Sequence, residues 1–268
     1  MFTLAENCRC SFSKPLQEKI PDQTMFGNPF TEFVVVFTIF VYAARLMTGP
    51  GDYYGYELKY ANSYESQADL DHMEYRHPEM WQIARQEADS GFIEFSWIPI
   101  SRPAFYFPEN IGLLSGMLFS DFILELDYKP VSQEENGGDF CIMFNFQNPE
   151  QYYYLHLASQ DEAYTHDIFL VDRGNRIPIS NMSAGGIQWK TRQWNRIRLE
   201  RSLTFGTIYV YVNDMHHPVM MAEDNTYGHG LIGFGAFQNP GKIDNLRILA
   251  PRMMHTRMSF FRKKSAGR

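Results

Sequence analysis

The sequence has little of three things: cysteine, positive charge and long apolar runs. Of its three cysteines, Cys8 and Cys10 are too close together for an ordinary disulfide framework. This excludes a disulfide scaffold and a cysteine-based metal cluster. The 24 Lys and Arg residues against 31 Asp and Glu give a formal net charge of −7. No general positive field gathers phosphates, so nucleic acid is not expected as a partner.

One apolar run occupies residues 33–44, with the sequence FVVVFTIFVYAA. Its length matches the core of a signal peptide and falls short of the roughly 20 residues needed to cross a bilayer. We therefore expect a leader over residues 1–50 and an exported protein, located in the periplasm, outside the cell or at its surface. Glu32 and the depth of the run in the chain leave two alternatives. Translation could start at Met25, or the run could be an uncleaved anchor, the only attachment to a membrane that we expect.

Aromatic residues, by contrast, are abundant, with 22 Phe and 16 Tyr in a chain of 268 residues. Flat rings pack well on pleated, half-buried surfaces, so this composition favours strands over helices. The chain is long enough to bury a substantial core, and its last 190 residues or so suit one large all-β domain.

Apolar and polar residues alternate with a period of two around residues 122–128, 140–146, 196–200 and 207–212. Turn-forming residues separate these segments. Antiparallel sheets packed face to face produce this pattern. We predict an all-β, two-sheet antiparallel sandwich, with Cys141 as a small packed hydrophobe inside one strand.

Four motifs occur in a specific order: DFILELDYKP, GGDFCIMFNFQNPEQYYYLHLA, WNRIRLERSLTFGTIYVYVND and GLIGFGAFQNPGKIDNLRIL. In this order, over roughly residues 78–249, they resemble the concanavalin A-like lectin/glucanase superfamily. The resemblance is closest to exported bacterial members and looser to laminin G-like and 3-keto-glycoside hydrolase-like domains. It implies a concanavalin A-like jelly roll at residues 78–250, after a polar linker at residues 51–77 and before a basic tail at residues 251–268. The first hairpin should begin near Trp81. This architecture hosts lectins, glycosidases, lyases and adhesion modules, so the fold alone names no function.

The enzyme hypothesis depends on residues 125–130. Glycosidases of this superfamily related to laminarinase carry a Glu, an Asp two residues on, and a second Glu three residues beyond that, so that two carboxylates flank the scissile bond. Glu125 and Asp127 match the first two positions, but Pro130 occupies the place of the second Glu. We therefore expect Glu125 and Asp127 to form an ordinary strand face and predict no catalytic residue.

A row of rings on residues 151–157 predicts a binding face. By parity Tyr152, Tyr154 and His156 share one side of this strand, while Tyr153 and Leu155 share the other. Aromatic rings stack on sugar faces while their polar tips bond hydroxyl groups. The resemblance implies that this strand belongs to the concave sheet, and it adds residues from neighbouring strands. The predicted ligand contacts are Asn145, Tyr154, His156, His166, Asp167 and Arg173.

Three further expectations concern single positions and the tail. Trp194 resembles the Trp that opens a long strand in these domains and should be a core anchor, whereas Trp189, in a loop, should be exposed. Asp244 resembles a position that helps hold a structural calcium ion in several related sandwiches. Asp244 and Asn245 alone do not supply the six or more oxygens that calcium needs, and no other cofactor is expected. The tail at residues 251–268 should be solvated and frayed.

These patterns predict an exported, lectin-like carbohydrate-binding domain without catalysis, whose partner is a polysaccharide or other glycan. Two alternatives stay open. One is a glycoside hydrolase that acts on a modified glycan with acids supplied by loops. The other is an adhesion module that binds protein, for which a broad apolar patch would replace a concave groove.

Overall fold

The computed structural model describes residues 55–85, 90–96, 108–131, 138–160, 165–190, 192–237 and 239–263. All of them belong to one compact unit of the chain, residues 52–268. The predicted leader, with its apolar run at residues 33–44, lies outside the described residues. No helix among the described residues is long and apolar enough to cross a membrane.

The described residues form nineteen strands and two short 3₁₀ helices. The first nine strands are β1 (Glu57–Asn62), β2 (Met73–Tyr75), β3 (Trp81–Arg85), β4 (Gly91–Phe95), β5 (Asn110–Leu114), β6 (Met117–Leu118), β7 (Phe122–Pro130), β8 (Asp139–Asn148) and β9 (Gln151–Ala158). The others are β10 (Asp167–Asp172), β11 (Asn175–Pro178), β12 (Ser180–Ser183), β13 (Asn195–Ser202), β14 (Thr207–Val212), β15 (Met220–Glu223), β16 (Leu231–Ala236), β17 (Gly241–Ala250), β18 (Met254–His255) and β19 (Arg262–Lys263). The 3₁₀ helices span Gln67–His72 and Pro78–Met80.

Two large antiparallel sheets carry almost all of these strands. The nine-stranded sheet has the order β12-β15-β14-β13-β7-β17-β4-β3, with β1 also paired to β17. The eight-stranded sheet has the order β11-β10-β9-β8-β16-β5-β2-β19, and β6 and β18 form a separate pair. The predicted all-β, two-sheet antiparallel sandwich is therefore confirmed.

Aromatic side chains join the two sheets through an inner core. Tyr128 of the nine-stranded sheet stacks on Phe140 of the eight-stranded sheet, with ring centroids 4.4 Å apart, and Phe122 meets Phe144 edge to face at 6.2 Å. All four rings are fully buried. Burial of a side chain of this size stabilises a fold by about 1.5–3 kcal/mol. The inward-facing rings of β7 and β8 therefore help to hold the two sheets together.

The alternation breaks inside β8 at Asn145. Its φ of 44° is left-handed, and the pairing of β8 with β9 shifts between Phe144 and Asn148. Such a bulge adds one residue and reverses which side chains face inward. Phe140 and Phe144 therefore lie in the inner core, whereas Phe146, which the alternation placed beside them, lies on the outer face of the sheet.

The predicted linker at residues 51–77 is wrong from Glu57 onward. Strand β1 pairs with β17, and β2 pairs with β5. Between them, Tyr64 and Leu70 are completely buried in the inner core. The segment escaped prediction because a 3₁₀ helix and single turns interrupt its strands, so no sustained alternation develops. The hairpin expected near Trp81 is confirmed as the β3–β4 pair.

The tail at residues 251–268 is also more ordered than expected, as far as residue 263. Strand β18 pairs with β6, and β19 pairs with β2 at the edge of the eight-stranded sheet. The completely buried carboxylate of Glu74 accepts hydrogen bonds from the Ser259 hydroxyl at 2.5 Å and from the backbone N–H groups of Phe260 and Phe261 at 3.1–3.3 Å. Because a buried carboxylate needs such donors, Glu74 fixes this part of the tail against the domain.

Candidate functional site

Strand register brings three of the predicted ligand contacts to one surface, the outer face of the eight-stranded sheet. His156 of β9 lies opposite Asp167 of β10, and Tyr154 lies opposite Phe169. Directly opposed residues of antiparallel strands share a face. Tyr154, His156 and Asp167 therefore lie together; parity had grouped Tyr154 with His156, and the resemblance had added Asp167.

This face is not the open aromatic surface that we expected. Tyr152 is 2% exposed and Tyr154 is completely buried. Together with Phe146 and Phe169 they belong to a second apolar cluster, against which the half-buried rings of Phe237, Phe260 and Phe261 pack. The prediction of exposure failed because Tyr residues give the same alternating pattern whether their side of the strand meets water or other parts of the chain.

Polar groups collect at one end of this cluster. The Tyr154 hydroxyl, both ring nitrogens of His156 and Oδ1 of Asp139 are buried and have no hydrogen-bond partner in the described part of the chain. His156 Nε2 lies 3.6 Å from Asp139 Oδ2, beyond a normal hydrogen bond. Burial raises the pKa of Tyr154, so the phenol stays neutral and its O–H can donate a hydrogen bond. Buried polar groups without partners cost free energy, which makes this end of the cluster a candidate site.

Three half-buried side chains surround these polar groups. The ring of Phe237 stacks on His156 with centroids 4.7 Å apart. The Arg176 guanidinium carbon lies over the Phe169 ring, 3.7 Å from its centroid, and 5.4 Å from that of Tyr154. Burial lowers the pKa of Arg176, while Tyr154, Cys141 and Asp167 oppose this shift. Asp167 accepts a hydrogen bond from the Ser180 backbone N–H at 3.1 Å.

We call this set the outer pocket and define it by Asp139, Tyr154, His156, Asp167, Arg176 and Phe237. Its three buried members, Asp139, Tyr154 and His156, carry polar groups, and its half-buried members are charged or aromatic. Asp139, Arg176 and Phe237 were missed from the sequence, although parity could have found Asp139, two residues before Cys141 on the same face of β8. Cys141, opposite His156, is completely buried, and burial raises its thiol pKa. The prediction of a packed hydrophobe at this position is confirmed.

The other three predicted ligand contacts lie elsewhere. Asn145 is fully buried by the bulge of β8, where it donates to the Phe119 carbonyl at 3.0 Å and accepts from Arg201 Nε at 3.3 Å. His166 is completely buried, and its Nδ1 accepts a 3.4 Å hydrogen bond from the Ala158 N–H. Arg173 is exposed in the β10–β11 turn, at the opposite end of β10 from Asp167. The structure does not bring these three residues into the outer pocket.

The two tryptophans exchange their expected places. Trp189 is 4% exposed, packs edge to face on Tyr128 at 5.2 Å, and donates its indole N–H to the Gly138 carbonyl at 3.2 Å. Trp194 is half-buried on the outer face of the nine-stranded sheet, beside Phe92 and Lys129. Trp189 was misplaced because its loop folds back between the sheets, which local sequence does not reveal.

The carboxylates of β7 are held by arginines of β13. Arg196 donates to both oxygens of Asp127, at 2.8 and 3.2 Å, and Arg198 donates to Glu125 at 2.5 and 2.8 Å. These cross-strand pairs form an ion-paired strand face, as expected for Glu125 and Asp127. Each of these two carboxylates is thus engaged by a guanidinium of the neighbouring strand.

Asp244 lies at a second bulge, beside a groove of about 600 Å³. Tyr60, Asn62, Asp69, His72, Asn245 and Arg247 are among the residues that line the groove. Burial, reinforced by the charges of Asp127 and Glu65, raises the pKa of Asp244 to about 6, although a hydrogen bond from the Asn245 N–H opposes the shift. Among the described residues no three His, Cys, Asp or Glu side chains group as metal ligands. A calcium ion here would therefore need oxygens from the backbone, and it stays a prediction.

The raised pKa predicts a pH-dependent gain of stability from Asp244→Asn. Because the folded-state pKa of about 6 exceeds the ordinary 3.8, the favourable effect of protonation is complete below pH 3.8 and is lost as the pH rises through 6. At pH 8 the variant should be more stable than the parent by about 1 kcal/mol, a value reduced for partial solvent screening. Urea unfolding at pH 8 and pH 4.5 should show this difference narrowing at the lower pH.

The same variant tests the calcium prediction. A bound cation would offset the repulsion at Asp244, so millimolar calcium would then raise the melting temperature of the parent and leave that of Asp244→Asn unchanged. Equal melting temperatures for the parent with and without calcium would count against the ion. A less stable Asp244→Asn at pH 8 in the absence of calcium would contradict the raised pKa.

Searches of family models and of curated proteins found no match. Among solved structures the chain is similar to a carbohydrate-binding module from Bacillus subtilis, at 14% identity and a TM-score of 0.46, covering 65% of this chain and 93% of that one. It is also similar to a Bacillus subtilis protein of unknown function with a galectin-like fold, at 15% identity and a TM-score of 0.49, covering 74% and 100%. Peanut lectin shows 8% identity and a TM-score of 0.46, covering 74% and 98%.

Proposed function

We propose that this protein is an exported, lectin-like β-sandwich that binds a glycan at the outer pocket without catalysis. One observation carries the proposal: four polar atoms of Tyr154, His156 and Asp139 lie buried together without partners among the described residues. Native proteins rarely leave such groups unsatisfied. A ligand that supplies several hydrogen bonds over a short distance would remove the free-energy cost.

Sugar hydroxyls match these groups chemically. Each hydroxyl can donate one hydrogen bond and accept two, so neighbouring hydroxyls can satisfy an acceptor such as Asp139 together with groups that do both, such as His156 and the Tyr154 phenol. The half-buried Phe237 ring, parallel to His156 within 25°, offers a flat apolar surface at the rim. Sites with apolar walls and a few convergent polar groups are typical of small-ligand binding.

The ion pairs of β7 support binding without hydrolysis. Retaining glycosidases need two carboxyl groups about 5–5.5 Å apart, one of which is protonated to act as the acid. Here Glu125 and Asp127 are paired with Arg198 and Arg196, and Pro130 stands where the related enzymes carry the second Glu.

Replacement of His156 by glutamine should weaken glycan binding at least tenfold. Glutamine removes the ring that stacks on Phe237 and moves the polar atoms, so the affinity for a glycan identified on an array should fall at least tenfold, about 1.4 kcal/mol. Isothermal titration of the parent and the variant with that glycan measures the change. Circular dichroism should show that the variant remains folded.

Trp194→Ala is the matched control. Trp194 is a half-buried aromatic on the outer face of the other sheet, where an exposed ring could also stack on a sugar. If the outer pocket is the site, Trp194→Ala binds like the parent. Loss of binding in Trp194→Ala with full binding in His156→Gln would place the site on the nine-stranded sheet and contradict the proposal.

A further inference from the structure

We infer that the outer pocket selects uncharged sugar residues and disfavours uronic-acid or sulfated ones. This inference rests on the proposed function, because it concerns the ligand of the same site. It follows from the charges that face the pocket and from how each of them is already held.

Two carboxylates and one guanidinium face the pocket. Asp139 on β8 and Asp167 on β10 lie on either side of His156 of β9, and Arg176 comes from β11. Among the described residues of this face, Tyr152, Tyr154 and Cys141 are neutral because burial raises their pKa values. Asp139 is 9% exposed, so water screens its charge weakly. An anionic ligand would therefore meet two carboxylates against a single guanidinium.

Arg176 does not offset this charge for a ligand. Its guanidinium carbon lies 3.7 Å from the centroid of the Phe169 ring and within 6 Å of the centroids of the Tyr154 and Phe237 rings. Its charge interacts with that of Asp167. A guanidinium that recognises a carboxylate or sulfate presents its edge in a two-pronged contact. Close to three rings and interacting with Asp167, Arg176 acts as part of the wall.

Neutral hydroxyls meet none of these penalties. Oδ1 of Asp139 lacks a donor among the described residues, and a sugar hydroxyl can supply one. A carboxylate on the sugar would place a second negative charge beside Asp139. The two like charges repel, and neither carboxylate can donate a hydrogen bond to the other. Like charges brought together in a poorly solvated site are a common means of rejecting the wrong ligand.

Matched pairs of oligosaccharides test the inference. The probes are neutral galactose, glucose and mannose oligomers and the corresponding oligomers with a carboxylate at C6, compared by array and then by titration at 20 mM and 300 mM salt. The parent should bind the neutral member of its preferred pair at least tenfold more tightly at low salt. This ratio should fall at high salt, where screening weakens the repulsion.

Asp167→Asn provides the variant, since the amide oxygen can still accept the Ser180 N–H and the strand pairing is kept. Removing this charge should reduce the ratio of neutral to acidic affinity at least threefold. Equal or tighter binding of the acidic member by the parent, or an unchanged ratio in Asp167→Asn, would overturn the inference while leaving glycan binding intact. Binding of neither member to folded protein would overturn the proposed function and, with it, the selectivity.

Discussion

Arg201→Ala is expected to lower the free energy of unfolding by about 3–5 kcal/mol, the range seen when one member of a buried charged network is removed. Arg201 is completely buried between the two sheets. Its guanidinium donates to the side-chain oxygens of Asn145 at 3.3 Å and Asn225 at 3.2 Å, and to the carbonyls of Ser202, Thr207 and Tyr227 at 3.4–3.5 Å. Alanine would leave these acceptors without a donor and open a cavity.

The cluster around Arg201 explains why a cation is tolerated inside a sandwich. The guanidinium lies 5.5 Å from the centroid of the Tyr153 ring, and the Tyr153 hydroxyl donates a short hydrogen bond to Asp224. The charge of Asp224 favours the ionised form of Arg201, although burial lowers the arginine pKa. The domain therefore depends on one network that links β8, β9, β13 and the segment before β16.

Arg196→Ala is the matched control for Arg201→Ala. Both arginines belong to β13, but the Arg196 side chain is 50% exposed on the other face and pairs with Asp127. An exposed ion pair contributes about 0–1 kcal/mol, so this variant should unfold close to the parent in guanidinium chloride. A similar loss of unfolding free energy in the two variants would show that the buried hydrogen bonds of Arg201 contribute no more than an exposed ion pair.

Gly230→Ala is expected to destabilise the domain by about 3 kcal/mol, at the upper end of the cost of overpacking. A Cβ at this position would lie 2.2 Å from the Asn145 carbonyl carbon and 2.3 Å from the Phe146 nitrogen. Both are backbone atoms of the bulge in β8, and Gly230 also exchanges two backbone hydrogen bonds with Phe119. The neighbouring chain cannot yield without disrupting the bulge that points Asn145 toward Arg201.

Gly228→Ala separates this steric effect from a general effect of glycine. A Cβ there would meet only the Leu203 side chain, at 3.5 Å, an ordinary contact. We expect its unfolding free energy to change by less than about 1 kcal/mol. Thermal and chemical unfolding of both variants measure the contrast, and a Gly230→Ala protein as stable as the parent would show that the bulge is easily rearranged.

Local sequence patterns predicted the strands that alternate strictly. They failed where the position of a side chain depends on residues far away in the sequence. Strands β7, β8, β13 and β14 were identified because large apolar side chains recur at every second position along each of them. Asn145 was misplaced because a bulge shifts the register by one residue, and no local signal marks it. The inward position of Arg201 could have been predicted, since parity puts it on the same face as Ile197 and Leu199. Its charge, however, normally indicates an exposed side chain, so the pattern alone did not identify it as buried.

The candidate site shows the same division. Parity correctly grouped Tyr154 with His156 because both lie on one strand, and the β9–β10 register places Asp167 beside them. It could not show that their face is covered, since Phe237 is more than eighty residues away from Tyr154 in the chain and Phe260 more than a hundred. Nor could it supply Arg176, whose place beside Phe169 follows from the pairing of β10 with β11.

The pairing of β1 with β17 and of β2 with β19 has a consequence for biosynthesis. Glu57 pairs with Ala250, and Glu74 with Lys263, so the first described strand of each sheet pairs with a strand about 190 residues later in the chain. Contacts so far apart in sequence slow folding. During synthesis β1 therefore stays unpaired until residue 250 has been made, and one edge of β2 stays open until residue 263; unpaired edges of this kind favour aggregation.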